Sequence, residues 1–201
     1  MKDGERKAVT TSEVETGRQL RADARRNRQR ILESARAVFA ECGADAQIDD
    51  VARRASVGVG TVYRHFPTKD ALMVELVRQK FRLFGQNARE ALDHEGEPFA
   101  VFADLLRRNA EAAADDATMQ QVLSGVGERI WAQAQAEQEQ LNALTEQLIA
   151  RAQRDGSMRP DIRAADIAML MCGVGSTMSR SGPGFDWRRH LELVVNMLRA
   201  D

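Results

Sequence analysis

Few residues in this chain have the types and spacing to do chemistry, and none of them is arranged for bond-making. The histidines His65, His94 and His190 lie far apart, with no metal-ligand spacing. Cys42 and Cys172 form no CxxC pair; each sits in a helical pattern and is expected to be a reduced thiol. No glycine-rich phosphate loop and no nucleophile–base pair is visible, so the expectation is no enzyme, no cofactor and no metal. Two basic or polar groupings remain. Arg18, Arg21, Arg25, Arg26, Arg28, Arg30 and Arg36 face only Asp23 and Glu33. On a near-neutral protein such a patch is either a phosphate footprint or a solvated helix face. The second grouping is Gly58, Gly60, Thr61, Arg64 and His65, on the outer face of a short helical stretch. A helix entering a major groove about 12 Å wide needs an outer face that is small or polar, as this one is.

The elements that must position these groups are helical. Of 201 residues, 43% are apolar and only 5% aromatic, enough for a real core and biased toward helix. Net charge is −1, but residues 1–80 carry 16 Lys and Arg against 12 Asp and Glu, while residues 81–201 carry 13 against 18. The first thirty residues hold no apolar segment of the kind a signal peptide needs, which makes a cytoplasmic location the expectation. The longest uncharged stretch, residues 167–179, is too short for a bilayer, which takes about 20 residues, so no membrane partner is expected.

Residues 1–22 lack periodicity and are expected to form a flexible basic arm. A helix is expected from about residue 23, with Ile31, Leu32, Ala35, Val38 and Phe39 in phase and Gly43 ending it. Ile48, Val51, Ala52 and Ala55 form the inner face of a short helix. A turn follows at Ser56-Val57-Gly58, then a second short helix from 59 to 66 that buries Val62 and Phe66. Pro67 stops it, and Thr68 should cap a helix running to about Leu92. Further helices are expected at 98–114, weakly at 118–124, at 128–154, and twice more before the end. The fold class is all-α, about nine helices: a helix-turn-helix head over 23–70 and a helical body over 71–201.

Residues 60–72, Gly-Thr-Val-Tyr-Arg-His-Phe-Pro-Thr-Lys-Asp-Ala-Leu, resemble the signature of the TetR family of bacterial regulators. Residues 30–35 and 48–55 are similar in spacing to the family's first two helices, and the likeness covers about residues 25–75. It implies a homodimer that binds double-stranded operator DNA. It also implies that Gly60 and Thr61 sit at the groove, that Tyr63 and His65 hydrogen-bond phosphates, and that Lys69 adds a charge-assisted phosphate contact. Arg64 could reach a phosphate or a base edge. Three positions depart from the family's habit. Ser56 stands where glycine often supplies a positive φ, and serine there carries strain unless the turn adjusts. Gly58-Val59 replaces a common Ser-Lys pair, which puts an apolar side chain where it could touch a thymine methyl. Gln47 stands where Thr or Ser often caps the second helix and bonds a phosphate.

For the body, the resemblance implies that the last two helices pair across a dimer, with Leu170, Met171, Val174, Met178, Leu191, Val194 and Leu198 as candidates. An ordinary internal core is the other reading of those stripes. It also implies an unknown small-molecule effector, with Phe81, Phe84, Phe102, Leu105, Met119, Leu123 and Trp131 as pocket candidates suited to an apolar ligand. The function expected is a repressor released by such a ligand. The alternative is a helical protein-interaction module without sequence-specific DNA binding.

Overall fold

A computed structural model describes residues 11–115, 127–178, 180 and 184–200. Among them the chain is all-helical, with nine α-helices. These are α1 (Thr11–Cys42), α2 (Ile48–Arg54), α3 (Val59–His65), α4 (Lys69–Asp93), α5 (Pro98–Ala114), α6 (Glu128–Gln133), α7 (Gln135–Arg154), α8 (Ala164–Met178) and α9 (Trp187–Leu198), with a 3-10 turn at Gly43–Asp45 after α1. The weak helix expected at 118–124 lies outside the described residues. The one extended pairing among them is an antiparallel bridge between Met158 and Arg199, which ties the end of the chain to the turn after α7. No helix among them is long and apolar enough to cross a membrane.

Two expectations need correction. The helix does not begin near residue 23 but at Thr11, so residues 11–22 are helical rather than a flexible arm. They have no apolar stripe, but Glu, Arg, Gln, Leu and Ala are good helix formers. Extension of a nucleated helix also adds a hydrogen bond per residue with no new nucleus. The single helix expected over 128–154 is broken at Ala134, at φ −105° and ψ 12°. Ala134 is fully buried there, and Arg78 Nη2 donates to the Gln133 carbonyl at 2.7 Å, so an oxygen freed by the break keeps a partner.

Two apolar clusters organise the helices. The first joins α1, α2 and α3 to the first half of α4, from Leu72 to Val77. The second joins Ala88 and Ala91 of α4 to α5, α7, α8 and α9. The helix α4 is therefore common to both, with a different section in each. Local capping sets the starts: Thr68 Oγ1 accepts from Ala71 N at 3.0 Å, and Glu97 accepts from Phe99 N and Ala100 N at 3.1 and 2.7 Å.

Candidate nucleic-acid interface

The helix α3 has seven residues, too few to stand alone in water. Its inner face holds it. Val62 and Phe66 are buried against Val51, Ala52 and Ala55, each large apolar side chain contributing about 1.5–3 kcal/mol. Small alanines on α2 let the two helices approach closely. The turn between them is a helix-terminating motif. Val57 N donates to Ala52 O at 3.0 Å and Ser56 N to Arg53 O at 3.2 Å. Ser56 has φ 53°, and it is the one non-glycine residue with positive φ among the described residues. The strain anticipated at this position is present.

With Val62 and Phe66 turned inward, the rest of α3 faces out. Gly58, Val59, Gly60, Tyr63 and Arg64 are exposed, and Thr61 and His65 are half-buried. The Gly58 carbonyl accepts from Thr61 N and Val62 N, so the chain turns into the helix there. Neither glycine is needed by the fold. Gly58 has φ −69°, and a Cβ on it would meet only Thr61 Oγ1 at 3.9 Å. A Cβ on Gly60 would meet nothing within 4 Å. Glycine inside a helix costs about 0.5–1 kcal/mol relative to alanine, so an unforced glycine on an outward face suits a surface that another molecule must approach closely. Lys69 opens α4 four residues after the end of α3, its Nζ 5.6 Å from the centre of the Phe39 ring. Gln47 precedes α2, but its side chain makes no cap. Its Nε2 donates back to Asp45 O at 2.7 Å.

Comparison with known proteins identifies this arrangement. Residues 31–76 match the bacterial regulatory proteins of the tetR family, and residues 97–200 match the C-terminal domain of SbtR-like transcriptional regulators. A TetR transcription regulatory protein of Mycobacterium vanbaalenii is 36% identical, with 90% of this chain and 99% of that one covered at a TM-score of 0.64. The chain belongs to the TetR family. A TetR regulator of Streptomyces coelicolor is 30% identical, covering 86% of this chain and 98% of that one, at a TM-score of 0.63. The transcriptional repressor KstR of Rhodococcus jostii is 29% identical over 186 residues, covering 87% of this chain and 83% of its own length. As a TetR-family member the chain is a DNA-binding transcriptional regulator and not an enzyme.

The arginine cluster of this TetR head divides once α1 is packed. Arg28 turns inward. Its guanidinium lies 5.1 Å from the Phe66 ring centre and its Nη2 is 3.0 Å from Glu75 Oε2. Arg36 donates to Gln79 Oε1 on α4 at 3.0 Å, and Arg26 pairs with Asp23 along α1. Arg18 and Arg25 are exposed. Two members of the expected phosphate footprint are thus ties between α1 and α4.

Sequence reasoning missed the junction these ties belong to. Glu75 is 6% exposed and also takes Arg82 Nη1 at 3.0 Å. Arg82 reaches Glu137 of α7 at 3.4 Å. Burial works to lower the Arg82 pKa, but Glu75 and Glu137 outweigh it and hold the pKa raised. Ile130 and Ala134 complete the head's own apolar cluster from the body side, with Trp131 packed against it and Arg129 paired to Asp70. A charge at 75 inside the buried run from Leu72 to Val77 was the available signal.

Among the described residues, the pocket candidates are not brought to one wall. Phe81 and Trp131 pack on the head cluster with ring centres 6.0 Å apart, whereas Phe102 and Leu105 are buried in the body cluster. Phe84 is half-buried under Lys80 Nζ at 5.6 Å. Met119 and Leu123 lie outside the described residues. The interface candidates lie on the sides of α8 and α9 that face the chain's own core. Val174, Leu191, Val194 and Leu198 are buried within the chain itself, and Leu170, Met171 and Met178 pack against the same core. The apolar residues that α8 and α9 turn outward are Met169 at 66% exposure, Leu193 at 52% and Met197 at 49%.

Proposed function

We propose that this regulator is a repressor that binds a palindromic operator as a homodimer and is released by a small, largely apolar ligand. The observation that carries the reading is the outward face of α3, open and unforced by the fold, with Tyr63, Arg64, His65 and Lys69 around it. Tyr63, His65 and Lys69 give phosphate contacts that set register, Gln47 can add one by leaving Asp45, and Thr61 and Arg64 reach base edges. Repression follows the similar KstR protein, which is a repressor. Dimerisation is supported by the outward Met169, Leu193 and Met197, because a monomer has no use for so much exposed apolar surface on two adjacent helices. Two heads about 34 Å apart read successive major-groove faces of a palindrome.

Release by a ligand acts through the junction. Phe81 and Trp131 pack on the head from elements that continue into the body, so a ligand favouring one arrangement of α6 and α7 favours one head position. It can shift the balance only by its differential affinity for the two arrangements.

The test is selection of bound sequences from a random duplex pool, then titration of the winner at two salt concentrations with wild type and Tyr63→Ala. The expected result is a palindrome, steep salt dependence from phosphate contacts, and weaker binding by the variant. Weak, salt-insensitive binding with no enriched sequence would overturn the reading and favour a protein-interaction module.

A further inference from the structure

Within that reading, on which this inference rests, one residue on the outer face of α3 stands apart. Val59 is 37% exposed, apolar, and flanked by Gly58 and Gly60. It shares its helical stripe with Tyr63, four residues on, while Val62 and Phe66 take the buried side. Val59 is not part of the apolar cluster that the neighbouring Val57 packs against. Its branched side chain has one strongly preferred rotamer in a helix, so it loses little freedom on contact. The flanking glycines have no side chains to hold the backbone away, and neither is required by φ or by packing. Together they leave Val59 as an exposed aliphatic side chain between two residues that have none.

An exposed, rigid methyl pair brought to the floor of a major groove finds one apolar feature there, the 5-methyl group of thymine. We infer that Val59 is a specificity-determining residue that selects a thymine in each operator half-site by packing on its 5-methyl group. The contact removes about one methyl group's worth of apolar surface from water in all, which corresponds to roughly four-fold in affinity per half-site. Hydrogen-bonding contacts would remain with Thr61 and Arg64, so Val59 sets one position of the sequence and not the whole.

The test is a methyl scan of the selected operator. Each thymine of a half-site is replaced in turn by deoxyuridine, which removes the methyl and keeps the base-pairing, and affinity is measured with wild type, Val59→Ala and Val59→Ser. The expected result is one thymine per half-site whose methyl is worth about four-fold to wild type and nothing to either variant. Both variants keep wild-type helicity because Val59 is outside the core. A scan in which wild type is insensitive at every thymine overturns the inference, as does one in which the variants lose as much as wild type. Either result leaves the operator-binding reading standing, since that is judged by the enrichment and salt dependence measured with the same duplex.

Discussion

Arg28 on α1 and Glu75 on α4 are joined at 3.0 Å, and Glu75 is buried while its two arginines, Arg28 and Arg82, keep half of their side chains near solvent. This relation ties α1 of the DNA-reading head to the helix the head shares with the body. Glu75→Gln keeps the size and removes the charge, leaving two guanidinium groups facing a neutral amide. Because the arginines are part-solvated, the loss is smaller than for a wholly buried pair, about 2 kcal/mol. A thermal melt should show Tm lowered by about 6 °C with helicity retained at 25 °C. An unchanged Tm would mean that the pair contributes nothing to the junction.

Ser56 gives the opposite sign. Its φ of 53° is the conformation glycine adopts without a Cβ penalty, and its backbone N–H and that of Val57 already close the end of α2. Ser56→Gly should stabilise the protein by about 1 kcal/mol, raising Tm by about 3 °C, with operator affinity unchanged. A lower Tm would show that the greater freedom of glycine in the unfolded chain outweighs the relieved strain.

Local features of this head are legible in the sequence itself. The strained turn at Ser56, the Thr68 cap and the inward Val62 and Phe66 follow from residues a few positions apart. The junction is not legible in that way, because Arg28 meets Glu75 and Ala134 meets the head only after distant segments pack. The register of α8 and α9 escapes for another reason. Both helices are apolar on more than one face, so periodicity alone offers two candidate sides, and Val194 and Leu193 differ only in which of them the body covers. The pocket candidates rest on residue type, which cannot separate Phe102 in one cluster from Phe81 at the other.

Gly60 tests whether α3 gives up stability for approach. The space around its Cα is open, so Gly60→Ala should strengthen the helix by about 0.5–1 kcal/mol and raise Tm slightly. Against a groove floor the same methyl is an overpacked contact, and operator affinity should fall about ten-fold. Melting and duplex titration on one preparation check both signs. Full affinity in the stabilised variant would show that α3 never approaches DNA at this position.

The body carries a pH-dependent tie between α5 and α9. Arg107 Nε and Nη2 meet the two oxygens of Glu192 at 2.7 and 2.9 Å. The hydrogen bonds from Arg107, opposed by some burial, hold the Glu192 carboxyl below its ordinary value. A carboxylate lowered in the folded state stabilises above the unfolded pKa, near 4.3, and loses that contribution as pH falls through the folded value. Glu192→Gln should therefore melt below wild type at pH 7, with the gap closing below about pH 4. Both side chains are more than a third exposed, so solvent screening keeps the effect under about 1 kcal/mol. A gap that is constant from pH 7 to pH 3 would point to lost packing instead.

Leu193 faces out of α9 and the adjacent Val194 faces in, which makes them a paired test of the proposed dimer. Leu193 is half-exposed in the single chain, and Val194 lies in the body cluster. If α8 and α9 pair about a two-fold axis through their outward face, Leu193→Glu places a charge on both sides of one isologous contact. The variant should sediment as a folded monomer with unchanged helicity. Its operator affinity should fall by about 100-fold or more, because the second head no longer binds at high effective concentration. Val194→Ala removes buried methyl groups from the body and should lower Tm while the protein remains a dimer. The reverse pattern, a dimeric Leu193→Glu with a monomeric Val194→Ala, would place the interface on the face that this fold turns inward, and would require α9 to rotate when two copies associate.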